Sequence, residues 1–181
     1  LVHTLKQQGL SLSTAESCTG GMIAQRITSV SGASEVFGYG FVTYWAEAKT
    51  RLVGVQPEVI ERYNVVSAPV AAQMALGAAQ ASGSDIAVSV TGLAGPGGGD
   101  AVRPVGTVYL GAARGGTVYV QKLFVSRPDR ALVRARAAQA ALTLALRLAQ
   151  GKVPAHTKPL AAAQQQDEAA LAALNEAFLA E

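Results

Sequence analysis

The stretch Thr14-Ala15-Glu16-Ser17-Cys18-Thr19-Gly20-Gly21 sets a carboxylate, a hydroxyl and a thiol side by side and ends in two glycines. An alternating run, Leu10-Ser11-Leu12-Ser13, precedes it, and Ile23, Ile27 and Val30 fall on one helical face after it. The spacing predicts a strand exit that feeds a helix entry. Such a junction offers unpaired backbone N–H groups and the positive end of a helix dipole. Glycines there let a ligand come close to the backbone. The chemistry within reach is binding of an anion or attack on a carbonyl. A Ser or Thr ahead of a helix also serves simply as an N-cap, so the stretch needs company before it means more.

Two further stretches supply it. Thr43-Tyr44-Trp45-Ala46-Glu47-Ala48-Lys49 follows a strand expected from Val36 to Tyr44, in which Gly38 and Gly40 point to a bulge or a close backbone approach. Thr91-Gly92-Leu93-Ala94-Gly95-Pro96-Gly97-Gly98-Gly99-Asp100 follows a strand expected over residues 85–90. Ligands of open α/β sheets bind beyond the carboxyl ends of the strands. Three parallel neighbouring strands would therefore gather these groups in one cleft. The glycine loop is neither a Walker motif, lacking Gly-Lys-Ser/Thr, nor a dinucleotide fingerprint, having Asp100 where a glycine is needed. It remains open as a phosphate cradle or as a plain surface loop.

Lys49 stands early in a predicted helix, where the dipole and partial burial would disfavour its charged form. A neutral lysine can take the proton of a serine hydroxyl, which makes Ser17 and Lys49 a candidate nucleophile–base pair, with Tyr44 relaying the proton or holding the lysine. Amides around Thr19 to Gly21 would then face an oxyanion. The other reading of Lys49 is an exposed lysine paired with Glu47 or Glu58. Cys18 is a rival nucleophile at the helix start or a small buried side chain. His3 and His156, the two histidines, lie near the ends of the chain and far from these motifs, which argues against histidine assistance and against zinc. Glu16 and Asp100 could hold magnesium, but two carboxylates from separate loops are a thin basis for it.

The elements that must position these groups are legible as an alternation. Helices are expected over 1–9, from the first motif to about Val30, around Lys49 to Gly54, from Pro57, from Ser67-Ala68-Pro69 to Gly83, and from Asp129 through 130–150. Strands are expected at 105–113 and 117–125, with Arg114-Gly115-Gly116 as a tight hairpin turn. Strands alternating with helices, plus one hairpin, predict a three-layer α/β/α sandwich with a mixed sheet. Residues 1–150 form that domain, and residues 151–181 form a linker and an Ala/Gln-rich helical appendage, for self-association or simply disordered at its ends.

The chain has 181 residues, half of them apolar, enough for one buried core. One cysteine excludes an internal disulfide framework. No apolar run spans a bilayer, and no basic-then-apolar leader opens the chain, so the expected setting is the cytoplasm. The net charge of +3 does not indicate nucleic acid. Residues 91–150, however, carry eight Lys/Arg against two Asp/Glu, mostly arginine, which suits bidentate contact with a phosphate or a solvated helix face.

Four motifs in one order resemble a known family. Thr14 to Gly21, then Gly40-Phe41-Val42-Thr43-Tyr44 with Glu47-Ala48-Lys49, then Thr91 to Pro96, then Pro104-Val105-Gly106-Thr107-Val108, resemble the C-terminal domain of the competence/damage-inducible protein CinA, which also occurs alone as nicotinamide-nucleotide amidase. The resemblance covers about residues 1–150. It implies metal-free, cofactor-free deamidation of nicotinamide mononucleotide to nicotinate mononucleotide and ammonia, in pyridine nucleotide recycling. It implies Ser17, Tyr44 and Lys49 as catalytic residues. Glu16, Thr19, Gly20, Gly21, Thr91, Gly92 and Gly95 then line the substrate pocket, and Arg130 takes the substrate phosphate in competition with Arg127 and Arg134. The expected partners are a small nucleotide substrate, further copies of the chain, and the N-terminal pyrophosphatase-like domain that full-length CinA proteins carry. A start at Leu1 rather than Met fits a piece of such a protein. Trp45 departs from the small polar residue expected there, and the 151–181 tail has no counterpart in short members. Two alternatives remain: a non-catalytic nucleotide-binding or protein-interaction module linked to competence or DNA damage, and a metal-dependent phosphohydrolase.

Overall fold

The computed structural model describes residues 1–127 and 129–180. The elements run α1 (Val2–Gln8), β1 (Leu12–Glu16), α2 (Met22–Thr28), β2 (Phe37–Val42), α3 (Ala46–Val53), α4 (Pro57–Tyr63), α5 (Ala68–Ser82), β3 (Ile86–Gly92), β4 (Thr107–Arg114), β5 (Thr117–Phe124), α6 (Arg130–Ala149), β6 (Lys158–Ala161) and α7 (Glu168–Leu179). Among the described residues, six strands form one sheet in the order β2-β1-β3-β4-β5-β6. β1 is parallel to both β2 and β3, and the remaining pairs are antiparallel. Helices cover both faces, as the expected α/β/α sandwich with a mixed sheet requires. The core on one face draws on α1, α2 and α6; the other draws on α3, α4, α5 and α7.

Local chemistry explains where the elements begin and end. Gly9, in the left-handed region at φ 64°, stops α1. Ser67 Oγ accepts the Val70 N–H ahead of α5, with Pro69 in the first turn. Asp129 accepts the Leu132 N–H at the head of α6. Gly115 and Gly116, both at positive φ, make the two-residue loop between β4 and β5. Both readings of the β2 glycines hold, at different positions. The β1–β2 register slips across Gly38, while a Cβ on Gly40 would sit 3.3 Å from Ala24 Cβ and from Thr14 Oγ1, where α2 packs against the sheet.

The alanine-rich composition of α5 also has a steric cause. A Cβ on Gly111 of β4 would lie 2.6 Å from the Ala71 carbonyl, so α5 crosses the sheet almost backbone to backbone. Larger side chains on that face would hold the two apart.

The C-terminal segment is more than an appended helix. Residues 158–161 pair antiparallel with β5 and extend the sheet, and Leu171, Leu174 and Phe178 of α7 are buried in the α5-side core. The Phe178 ring meets Tyr109 edge-on at 5.9 Å. No strand was expected there, because Lys158-Pro159-Leu160-Ala161 shows no alternation of its own and becomes a strand only against β5. Glu181, the end of the expected tail helix, lies outside the described residues.

Candidate active site

The parallel set β2-β1-β3 brings the three expected exits to one edge. Glu16 pairs in register with Val42 on one side and Val90 on the other. The chain leaves β1 through α2 on one face and returns to β3 through α5 on the opposite face, so the topology switches at the end of β1, the place where open α/β sheets form their ligand crevice. The turn is held at both flanks: Ser17 N–H donates to the Val90 carbonyl (3.0 Å), and Thr43 N–H donates to the Glu16 carbonyl (2.8 Å).

Lys49 is the decisive side chain. It is only 2% exposed, against the ordinary expectation for a helix lysine. Its Nζ lies 3.0 Å from Ser17 Oγ and donates to the Thr43 carbonyl at 2.7 Å. Neither Glu47 nor Glu58 forms a salt bridge with it among the described residues. Burial without a carboxylate pulls its pKa down from 10.5 to about 8; the nearby Cys18 acts weakly the other way. Ser17 is half-buried and accessible. This arrangement can move a proton between a serine hydroxyl and an amine near neutral pH.

Cys18 points into the α2/α6-side core. Burial raises its pKa from 9.0 to about 11, outweighing its own backbone amide and the charges of Lys49 and Arg134. The thiol is therefore protonated at neutral pH and weakly nucleophilic.

Glu16 does not reach the crevice. Its buried carboxylate accepts N–H groups from Gly21 (3.1 Å), Ile23 (3.0 Å) and Ala24 (2.8 Å), and so caps α2 with a full charge. The sequence signal was present: an acid a few residues ahead of a helix start. Gly20 and Gly21 sit at φ 57° and 97°, the conformation that turns the chain from β1 into α2. Their amides are engaged, Gly20 with the Ser17 carbonyl and Gly21 with Glu16. Of the amides expected to face an oxyanion, Thr19 to Gly21, that of Thr19 is thus left. The Thr19 hydroxyl is buried with no partner among the described residues.

Tyr44 is half exposed and does not hydrogen-bond Ser17 or Lys49; its hydroxyl accepts from Arg130 Nη2 at 3.2 Å. Arg130 Nη1 donates to the Gly95 carbonyl at 2.8 Å. This one guanidinium, from the first turn of α6, therefore ties the second exit to the glycine loop. Arg134, one turn along, reaches the first exit and donates to the Cys18 and Thr19 carbonyls. Arg127 engages through its backbone, its carbonyl accepting the Asp129 amide.

The glycine loop is pinned rather than loose. Thr91 Oγ1 donates to the Val65 carbonyl (2.6 Å), and Arg103 pairs with Asp100 at 2.8 Å. A Cβ on Gly92 would lie 2.7 Å from Val108, and one on Gly95 would lie 2.6 Å from Val105. These glycines are thus explained by close packing on the start of β4. Asp100 and Glu16 both have their carboxylates engaged, and among the described residues no group of three or more His, Cys, Asp or Glu could hold a metal. A groove of about 580 Å³ lies elsewhere, between α4 and the tail, lined by Gln56, Arg62, Tyr63 and Gln166 among others.

Fold and crevice together define an α/β sandwich with a serine–lysine pair at a strand exit. Residues 1–149 match the model of the CinA C-terminal domain, and the chain belongs to that family. It is 52% identical over 143 residues to a CinA-like protein of Akkermansia muciniphila, covering 78% of this chain and 34% of that one. It is 49% identical over 144 residues to nicotinamide-nucleotide amidohydrolase PncC of Enterobacter agglomerans, covering 79% of this chain and 87% of that one. Among solved structures it superposes on a competence/damage-inducible protein from Agrobacterium tumefaciens with TM-score 0.79 at 42% identity, covering 81% of this chain and 90% of the other. A CinA superfamily protein from Escherichia coli gives 0.77 at 36% identity, with 81% and 84% covered. The chain spans about a third of the length of the CinA-like relatives it matches. No helix of the described residues is long and apolar enough to cross a membrane.

Proposed function

We propose that this chain is a serine–lysine amidohydrolase that converts nicotinamide mononucleotide to nicotinate mononucleotide and ammonia. The observation that carries the chemistry is the 3.0 Å approach of buried Lys49 Nζ to Ser17 Oγ, with the amine's pKa drawn down to about 8. The substrate rests on the amidohydrolase relative, which is matched over 87% of its length.

In this reading neutral Lys49 takes the Ser17 proton as Oγ bonds to the carboxamide carbon. The amide of Thr19 receives the oxyanion. The tetrahedral adduct collapses: the C–N bond breaks and Lys49 returns the proton to the leaving nitrogen, giving ammonia and an acyl-serine. Water, deprotonated by Lys49, then breaks the ester, releasing the carboxylate and restoring Ser17. Arg130, oriented by the Gly95 carbonyl and Tyr44 hydroxyl, directs its remaining N–H groups at the nucleotide phosphate.

The test is ammonia release from nicotinamide mononucleotide by purified protein in chelator, beside Ser17→Ala and Lys49→Met. Release by the wild type and near-complete loss in both variants is the expected result. Release that survives Ser17→Ala would sink the serine mechanism. A folded wild type that binds the nucleotide without releasing ammonia would favour a non-catalytic binding module.

A further inference from the structure

Arg134 lies on α6, one turn beyond Arg130, and its environment differs in kind. Nε donates to the Cys18 carbonyl at 3.0 Å, and Nη2 donates to the Thr19 carbonyl at 2.9 Å. One planar fork thus spans two successive peptide carbonyls directly after Ser17. The guanidinium also lies across Gly20, where a Cβ would be 3.6 Å from Nη2.

A trans peptide unit is planar, with its N–H opposed to its C=O. Fixing a carbonyl therefore aims the amide on the other side of the same plane. The Ser17–Cys18 plane is held by the Gly20 N–H, which donates to the Ser17 carbonyl at 3.0 Å. No helix ladder holds the next plane, Cys18–Thr19; Arg134 holds it. With the Cys18 carbonyl drawn toward α6, the Thr19 N–H is turned away from α6. The neighbouring amides of Gly20 and Gly21 are already engaged.

We propose that Arg134 is a positioning residue for the Ser17 turn: its fork sets the Cys18–Thr19 peptide so that the Thr19 amide serves as an oxyanion donor, while Arg130 alone answers the substrate phosphate. This rests on the serine-nucleophile reading above. Arg134 spends its fork on two backbone carbonyls of the Ser17 turn itself, whereas Arg130 ties the second strand exit to the glycine loop. Lysine keeps the charge but cannot span both carbonyls, so charge and geometry are separable at this position.

The experiment compares wild type, Arg134→Lys, Arg134→Gln and Arg130→Lys by two readouts. One is kcat and KM for nicotinamide mononucleotide. The other is the rate at which a small sulfonyl fluoride modifies Ser17, which depends on the nucleophile and its donors but not on a phosphate. For both Arg134 variants, kcat and the modification rate are expected to fall by roughly 100-fold, the scale of a lost oxyanion donor, with KM changed less than about three-fold. Arg130→Lys is expected to raise KM and leave the modification rate alone. Should either Arg134 variant lose its fold, Arg134→Ala with added methylguanidinium replaces it, and the modification rate is expected to recover with the additive. A raised KM with kcat and modification rate unchanged would make Arg134 a phosphate anchor and overturn the proposal, as would a fully active Arg134→Lys. If the wild type is modified at Ser17 yet releases no ammonia, the substrate assignment fails while the modification rates still decide the role of Arg134. No modification of wild-type Ser17 would overturn both.

Discussion

Replacing Lys49 by Met should abolish activity and make the protein more stable, and the size of the gain follows from the site. An amine whose pKa falls from 10.5 to about 8 on folding carries a penalty of about 3 kcal/mol while it remains charged, at about 1.4 kcal/mol per pKa unit. Methionine fills similar space without a charge. It also abandons the Thr43 carbonyl, which Lys49 satisfies at 2.7 Å, and an unmet buried acceptor costs about 1 kcal/mol or more. The net expectation is a variant more stable by about 2 kcal/mol at pH 7, or roughly 4–8 °C in Tm for a chain of this size. The pH dependence has a definite sign. Below pH 8 Lys49 is protonated folded and unfolded alike, so the penalty is complete. Between about 8 and 10.5 the unfolded chain binds the extra proton, so wild-type stability rises with pH relative to the variant and the gap closes. Urea melts of both proteins from pH 7 to pH 10 measure it. A variant less stable than wild type at pH 7, or a gap that does not change across that range, would refute the account of Lys49 as a buried, unpaired cation. The same titration governs catalysis: kcat/KM should rise with pH through about 8 as the amine becomes neutral.

Other outcomes follow from the same geometry. Cys18→Ala should keep most of the activity, and maleimide should label wild-type Cys18 slowly at pH 7.5, because burial holds the thiol pKa near 11; rapid labelling or a dead alanine variant would reinstate the thiol. Glu16→Gln should cost about 1–2 kcal/mol in chemical denaturation through the lost charge at the head of α2, and should lower kcat by loosening the turn that carries Ser17. Ending the chain at residue 150 should expose the β5 edge and uncover Tyr109, Val118 and Val120, with each of the three buried α7 side chains worth about 1.5–3 kcal/mol; a truncated chain as stable as the intact one would show the tail to be dispensable.

Much of this molecule was legible residue by residue because the relevant physics is local. A helix stop at Gly9, caps at Ser67 and Asp129, and the Gly115-Gly116 loop each depend on a few adjacent dihedrals and hydrogen bonds, so the alternation of elements and the sandwich could be read from the chain. The tail resisted that treatment. Its strand exists only as a partner of β5, and its helix buries Leu171 and Phe178 against residues far away in sequence.

The same division runs through the crevice. By itself the sequence determined which residue types stand at three strand exits: a serine ahead of a helix, a tyrosine and lysine after the second strand, a glycine loop after the third. Only the tertiary structure decided what each one touches. Ser17 and Lys49, 32 residues apart, meet because β1 and β2 pair in parallel, and the lysine's proton affinity falls because that packing takes it out of water without giving it a carboxylate. Glu16, in the middle of the motif, is turned inward to cap α2. Arg130 and Arg134 look alike in the chain, and their different contacts follow from which turn of α6 lies over the glycine loop and which over the peptide planes after Ser17. Residue type and local turns are written in neighbouring residues, whereas burial, proton affinity and the aim of a donor belong to the surroundings, which long-range pairing supplies.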